Sequence, residues 1–380
     1  KLKQSHLPFS FTRIPMKVKI AIAEPPEVTG PLLFDLAKYI AKSKRALVIT
    51  GAGISCSSGI PDFRSTNGLY DLVKAKHPNV VVKGRDLFDA TLFKEESTTR
   101  VFYTFMAELK TLISSAVPTP THSFIRQLQD NGQLLRCYTQ NIDCLEELVD
   151  LPVVQLHGSM NKVKCTICTA SYGFSTDHQQ QFRDGNPPPC PKCQDLFDER
   201  QRLGKRSLAT GTLRPDIVLY NEDHPLGESI GEMQFTDLKK RPDLMIVMGT
   251  SLKIPALKKF IKQAARVVHS NKNGRVVFVN RTPCTKEWEK VFDYEILSDT
   301  DDWVNQIQTL TQRIQQDQAL KRKLSVPHDD LESEKENVAI KSIKKSKSQS
   351  CCTKKSSQTT LDGLKVTKSI KTVFKKSISA

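Results

Sequence analysis

Residues 46–55 read Ala46-Leu47-Val48-Ile49-Thr50-Gly51-Ala52-Gly53-Ile54-Ser55. A short run of apolar and β-branched residues that breaks at once into a glycine turn predicts a buried strand feeding a tight loop. Similar runs follow at Leu134–Tyr138, Val153–Leu156, Leu244–Met248, Val276–Val279 and Tyr294–Leu297, with helical patterns such as Pro31–Ser43 and Ile254–Val268 among them. This alternation predicts an α/β fold, a Rossmann-like parallel sheet covered on both faces, over residues 29–312. Two stretches interrupt it. Residues from about 71 to 115 are too long for an ordinary crossover and contain a helix-like segment, Thr98–Ser115, so a helical insertion is expected there. A second insertion, from about 161 to 204, holds two cysteine pairs and is expected to form a small zinc-binding domain. Residues 1–28 read as an N-terminal extension. Residues 313–380 read as a mostly disordered basic tail, because beyond Leu324 too little apolar surface remains to offset the entropy of ordering.

Each predicted strand ends in polar or small residues. The first ends in Gly51-Ala52-Gly53, the second in Thr139-Gln140-Asn141-Ile142-Asp143, the third in His157-Gly158-Ser159 and the fourth in Gly249-Thr250-Ser251. Asn280 closes the fifth, and Ser298-Asp299-Thr300-Asp301 the sixth. Any single end is explained by the turn and capping needs of an α/β fold. Six in agreement describe a rim at the carboxyl edge of a parallel sheet, where ligands bind, and one long enough for a dinucleotide. The glycine loop departs from the hydride-transfer fingerprint: Cys56 stands where G-x-G-x-x-G needs its third glycine, and no acidic residue ends the next strand. The amides around Ala52–Ile54 can still receive a pyrophosphate at a helix start.

The net charge is +16, and residues 321–380 hold 15 Lys and Arg against 6 Asp and Glu. Such a tail suits a polyanionic partner such as chromatin and a weak nucleic-acid contact, or is simply a solvated charge run. Lys321-Arg322-Lys323 and Lys344-Lys345-x-Lys347 have the form of nuclear-import signals. No apolar stretch is long enough for a membrane span, and the first 26 residues lack the apolar run of a secretory signal, so an intracellular protein without membrane contact is expected. In that setting Cys165-x-x-Cys168 and Cys190-x-x-Cys193, with 21 residues between the pairs, point to one tetrahedral zinc ion. Four thiolates leave no open position for water, so the metal is expected to be structural. A nucleic-acid-binding ribbon is the competing use, but no dense basic and aromatic run surrounds these cysteines.

Gly51-Ala52-Gly53-Ile54-Ser55 followed by Gly59-Ile60-Pro61-Asp62-Phe63-Arg64-Ser65 resembles the NAD loop of the sirtuins. Thr139 to Asp143, His157-Gly158 and Gly249-Thr250-Ser251-Leu252 resemble further motifs of that family, in its order, and the likeness extends over about Pro31 to Trp303. Residues 68–110 further resemble the fungal nuclear branch that acts on histone H3. The resemblance implies an NAD-dependent protein-lysine deacetylase, active on histones in chromatin silencing and genome maintenance in the nucleus. In such enzymes NAD is consumed: the acetyl oxygen displaces nicotinamide from the ribose, and the products are free lysine, nicotinamide and O-acetyl-ADP-ribose.

By the same resemblance His157 is the base that helps deprotonate a ribose hydroxyl, and Asn141 and Asp143 complete the catalytic set. An imidazole suits proton removal near neutral pH, although a strand-end histidine satisfied by a carbonyl would look the same. Cofactor contacts are implied at Gly51, Ala52, Gly53 and Ile54, then at Gly59, Ile60, Asp62, Phe63, Arg64 and Tyr70. Others are implied at Gln140, Asn141, Ile142 and Asp143, at Gly249, Thr250 and Ser251, and at Asn280, Arg281, Thr282 and Thr300. Arg214 to Val218 and Tyr220-Asn221-Glu222 resemble the strand that captures the acetylated peptide by main-chain bonds, with Tyr-Asn-Glu in place of the usual Phe-Gly-Glu. Protein mono-ADP-ribosyl transfer and a non-catalytic chromatin scaffold are the alternatives, and the presence of His157, Asn141 and Asp143 speaks against the scaffold.

Overall fold

A computed structural model describes residues 18–324 except 67, 79, 81 and 82. Of the mostly disordered tail expected at residues 313–380, residues 313–324 instead belong to the helix that starts at Thr300, and the rest, like the first 17 residues, lies outside the described residues. In chain order the elements begin with β1 (Val18–Ala21), α1 (Pro26–Lys42) and β2 (Ala46–Thr50). Then come α2 (Leu69–Lys76), α3 (Glu96–Ser115), α4 (Pro120–Asp130), β3 (Leu134–Thr139) and β4 (Val153–Gln155). The middle of the chain gives β5 (Gly158–Cys165), β6 (Ser171–Gly173), α5 (Thr176–Arg183), α6 (Pro191–Arg202) and β7 (Leu213–Ile217). It closes with α7 (Gly227–Lys239), β8 (Leu244–Met248), α8 (Pro255–His269), β9 (Arg275–Asn280), β10 (Tyr294–Leu297) and α9 (Thr300–Leu324).

Seven strands form the parallel sheet that the apolar runs predict, in the order β1-β10-β9-β8-β2-β3-β4. Every residue of β2 and β8 is buried, as the uninterrupted runs require of strands covered on both faces. One face is packed by Leu36 and Ile40 of α1, Phe124 of α4 and Trp303 of α9. The other is packed by Phe260 and Ile261 of α8, with Trp288 and Phe292 stacked beneath. The sequence reading assigns Val18–Ala21 to the N-terminal extension. The strand is missed because only Ile20 among its four residues is buried, which leaves no run to detect.

Strand order reverses between β2 and β8: the next strands in sequence, β3 and β4, lie to one side, and β9 and β10 to the other. That is the position where the carboxyl ends of neighbouring strands diverge and open a crevice.

The two insertions, read separately in the sequence, fold as one lobe with a common core. Phe102, Tyr103 and Met106 of α3 are buried together with Phe182 of α5, Val163 of β5, Leu213 of β7 and three of the paired cysteines. Tyr103 and Phe182 have ring centroids 4.8 Å apart, and Gln179 donates to the Ala107 carbonyl at 3.0 Å. An antiparallel sheet, β6-β5-β7, forms the rest of the lobe. The compact unit ends at Ala319; of the second unit, from Leu320, only the end of α9 is described.

Candidate active site and metal centre

At the reversal point the loops after β2 and β8 touch. A Cβ on Gly51 would lie 2.7 Å from the Gly249 carbonyl oxygen, and one on Gly53 would lie 2.7 Å from Gly249 Cα. Gly249 itself has φ +61°, and a Cβ there would meet the Ile54 nitrogen at 2.7 Å. These glycines are thus required by the contact of two loops, a reason the sequence reading does not contain. The amides of Gly53 and Ile54 donate to the carbonyls of Gly249 and Gly51, so those two are not free for an anion. Ile54 is fully buried and serves the core beneath.

Above these loops opens a cleft of about 1120 Å³. Gly51, Ala52, Gly53, Asp62, Phe63, Arg64, Tyr70, Gln140, Asn141, Ile142 and His157 line it on the β2, β3 and β4 side. Gly249, Thr250, Ser251, Asn280, Arg281, Thr282 and Thr300 line it on the β8, β9 and β10 side. Val218 to Glu222, following β7, form the wall contributed by the second lobe. A recess of about 20 Å³ adjoins the cleft, bounded by Ile60 and Asp143 and sharing Ala52, Phe63, Asn141 and Ile142 with it. In this conformation the recess has room for about one water. Ile54 and Gly59 line neither space; Gly59 instead takes φ +85° to turn the chain after the glycine loop.

Ser55, which the sequence reading does not single out, joins the polar residues at the floor. Its hydroxyl donates to Asp143 Oδ2 at 2.7 Å and accepts from Asn141 Nδ2 at 3.2 Å. Asp143 Oδ1 receives the Leu145 amide at 3.2 Å, which closes an Asx turn. Asn141 is only 3 % exposed, and its Oδ1 has no hydrogen-bond partner among the described residues. A buried amide oxygen left open beside a cleft fits a ligand that donates, such as a hydroxyl or carboxamide. Burial pushes the Asp143 carboxyl up, against the stabilising Ser55 hydroxyl. Glu146, one turn further on and fully buried, is pushed up to about 7, by burial first and then by the charge of Asp143.

His157 sits between β4 and β5, with its Nδ1 3.0 Å from the Gln140 carbonyl oxygen. Only a protonated Nδ1 satisfies that oxygen, which assigns the lone pair to Nε2. Burial pushes the imidazole below its ordinary value, with the neighbouring His224 and Arg64 acting in the same direction, so the ring is neutral at neutral pH. Gly158 follows it with φ +83°, where a Cβ would lie 2.2 Å from the Asp216 carbonyl oxygen. That close crossing of β5 and β7 fixes the histidine backbone, whose carbonyl takes the Val218 amide at 2.9 Å. A carbonyl partner for the ring, the plain reading of a strand-end histidine, is therefore present and leaves the other nitrogen available.

Arg64 donates to Ser251 Oγ at 3.2 Å and to the Tyr220 hydroxyl at 2.6 Å. Arg281 is ion-paired with Asp299, and Asn280 Nδ2 donates to Thr282 Oγ1 at 2.9 Å. Gln140 Nε2 donates to Thr250 Oγ1 at 2.9 Å, tying the two strand ends together. Glu222 pairs with Arg214 and accepts the Leu219 amide at 3.1 Å, which holds the 219–222 turn to β7.

The sulfurs of Cys165, Cys168, Cys190 and Cys193 all lie within 4.8 Å of one another, the one such cluster among the described residues. Cys165 and Cys193 sulfurs are 3.7 Å apart, and Cys168 and Cys190 sulfurs 3.6 Å. A tetrahedron of thiolates at about 2.3 Å from zinc has edges of about 3.8 Å. The donor set and its spacing therefore fit one zinc ion. Amides of Ile167 and Cys168 donate to the Cys165 sulfur at 3.3 and 3.4 Å.

The chain matches the family model described as the Sir2 family over residues 51–256. It is 44 % identical over 308 residues to the NAD-dependent histone deacetylase HST3 of Candida albicans, covering 75 % of this chain and 63 % of that protein. It is 40 % identical over 298 residues to the NAD-dependent histone deacetylase HST3 of Saccharomyces cerevisiae, covering 72 % and 66 %. The chain thus spans just under two thirds of the length of these relatives. Among solved structures, one described as the structural basis for the mechanism and regulation of Sir2 enzymes superposes with a TM-score of 0.57 at 28 % identity, covering 74 % of this chain and 98 % of that one. A Sir2 homologue solved with 2′-O-acetyl ADP ribose shares the fold, with a TM-score of 0.58 at 23 % identity, covering 74 % and 97 %.

Proposed function

The chain belongs to the Sir2 family, and on that premise we propose that it is an NAD-dependent protein-lysine deacetylase acting on histones, with histone H3 as the expected substrate. The observation that carries this reading is the convergence of His157, Asn141 and the paired glycine loops on one cleft at the sheet's reversal point. Residues of the β2 and β8 loops, with Arg64 and the β9 and β10 ends, would hold the dinucleotide. Asn141 Oδ1 and Asp143 would receive hydrogen-bond donors deep in the site. When bound, NAD supplies the electrophilic ribose carbon and carries the acetyl group away.

His157 then has one task. Its Nε2 takes a proton from a ribose hydroxyl, while the Gln140 carbonyl holds the ring by Nδ1–H and steadies the imidazolium that forms. The peptide would lie along the 217–222 wall, paired by main-chain bonds. Zinc would sit in the four-cysteine cluster as a structural ion and take no part in the reaction. Two features support nuclear work on chromatin: the basic clusters of the tail, and the description of the relatives as histone deacetylases.

The test incubates the protein with NAD labelled in its adenosine part and an acetylated histone H3 peptide. Peptide-dependent nicotinamide release with free lysine supports the proposal. Label transferred to protein would instead establish ADP-ribosyl transfer, and no NAD turnover would leave a scaffold.

The depressed His157 also fixes a pH dependence. A base whose pKa lies below the ordinary value stays neutral to lower pH, so the acid limb of kcat/KM should be centred below pH 6.5. A limb centred at or above pH 6.5, and absent from the His157→Ala residual activity, would contradict the burial argument.

A further inference from the structure

We infer that Tyr220 is a positioning residue for the dinucleotide: its hydroxyl clasps Arg64 across the cleft mouth and sets that guanidinium for the cofactor. The inference rests on the NAD reading proposed above. Tyr220 opens the Tyr-Asn-Glu turn after β7 with a phenol, and the phenol is used. Arg64 lies on the loop opened by Pro61 and reaches two separate walls, Ser251 after β8 at 3.2 Å and the Tyr220 hydroxyl at 2.6 Å. Those two bonds use two of its five N–H groups, which leaves three for an anionic ligand. The clasp therefore orients the cation without consuming it.

Tyr220 is itself held firmly, as an anchor must be. Its amide donates to the Phe88 carbonyl at 2.8 Å, and its carbonyl accepts the Ala90 amide at 2.9 Å. The Arg85 guanidinium stacks 4.3 Å from its ring centre. Next to it, Asn221 takes φ +59° and donates to Asp89 at 2.6 Å. The Tyr70 hydroxyl stands 3.5 Å from the Tyr220 hydroxyl, within reach of the proton that Arg64 leaves unused. A phenylalanine would keep the ring stacking and the backbone bonds and lose the hydroxyl's two contacts, the clasp on Arg64 and the longer approach to Tyr70.

Tyr220→Phe is thus the clean probe, measured alone and with Arg64→Ala. Tyr220→Phe should weaken NAD binding by roughly three- to ten-fold, the scale of one charge-assisted hydrogen bond at a partly exposed site. It should also speed amide hydrogen exchange over residues 62–66 in the free protein, while the melting temperature stays as in the wild type. In the Arg64→Ala background the same change should add nothing to the NAD dissociation constant. Unchanged NAD affinity, or an equal loss with and without Arg64, overturns the inference. So does a raised peptide KM that persists without Arg64, because Tyr220 then serves the peptide. A wild type that binds no NAD defeats the function proposed above and this cofactor role together. The exchange comparison would still tell whether Tyr220 orders the Arg64 loop.

Discussion

Replacing His157 with alanine is expected to lower turnover of an acetylated histone peptide by about 10²- to 10⁴-fold, the usual contribution of a positioned general base. The ring is held by a single contact to the Gln140 carbonyl, so its removal leaves no broken network behind. Its backbone bonds to the β7 side remain, and Gly158 still makes the crossing that fixes the strand. NAD affinity, zinc content and melting temperature should therefore stay near wild-type values. Steady-state deacetylation measured beside NAD binding separates the outcomes. Near-normal turnover in this variant would remove His157 from the mechanism, and loss of zinc or of folding would make its role structural.

Removing the metal should have the other large effect, and of a different kind. Structural zinc sites are worth roughly 10–16 kcal/mol in apparent binding free energy, and that energy is folding energy. Cys165, Cys190 and Cys193 are part of the same core as Phe102, Tyr103 and Phe182. Cys190→Ala or a strong chelator should then loosen α2 and α3 as well as the cysteine turns. Activity should disappear with the ordered lobe, because β7 and the 218–222 wall are built on it. Metal content by atomic absorption, followed with near-UV circular dichroism, tests this directly. A Cys190→Ala protein that keeps one zinc per chain and its full melting temperature would show that the cluster is not the metal site.

The sheet was legible because β2, β8 and the Val276–Val279 stretch of β9 are unbroken apolar runs, with β3 and β10 interrupted only by Arg136 and Glu295, and buried parallel strands have little polar face to hide the signal. β1 was not, since Val18–Ala21 alternates like any short exposed segment and is defined only by its pairing with β10. The site residues were legible as strand ends. What they touch was not. The Gly51, Gly53 and Gly249 contact joins positions some 200 residues apart, and the Tyr220–Arg64 bond joins two loops 156 residues apart that lie outside both insertions. Ser55 stood in the quoted motif, yet its bonds to Asp143 and Asn141 come from tertiary placement that no spacing encodes. The four cysteines lay at the other extreme, because metal geometry writes itself directly into sequence spacing.

The pairing of β1 with β10 also bears on how the chain is made. Val18–Ala21 leaves the ribosome well before its neighbour in the sheet among the described residues, Tyr294–Leu297, which is synthesised more than 270 residues later. β2 likewise waits for β8, although β3 follows it sooner. At about 5–20 residues per second, β1 has to remain unpaired for tens of seconds during translation. Its charged, weakly apolar sequence, Val-Lys-Ile-Ala, suits a segment that must not aggregate while it waits. A ribosome stalled before residue 294 would carry a nascent chain in which Val18–Ala21 lacks the strand that it pairs with among the described residues.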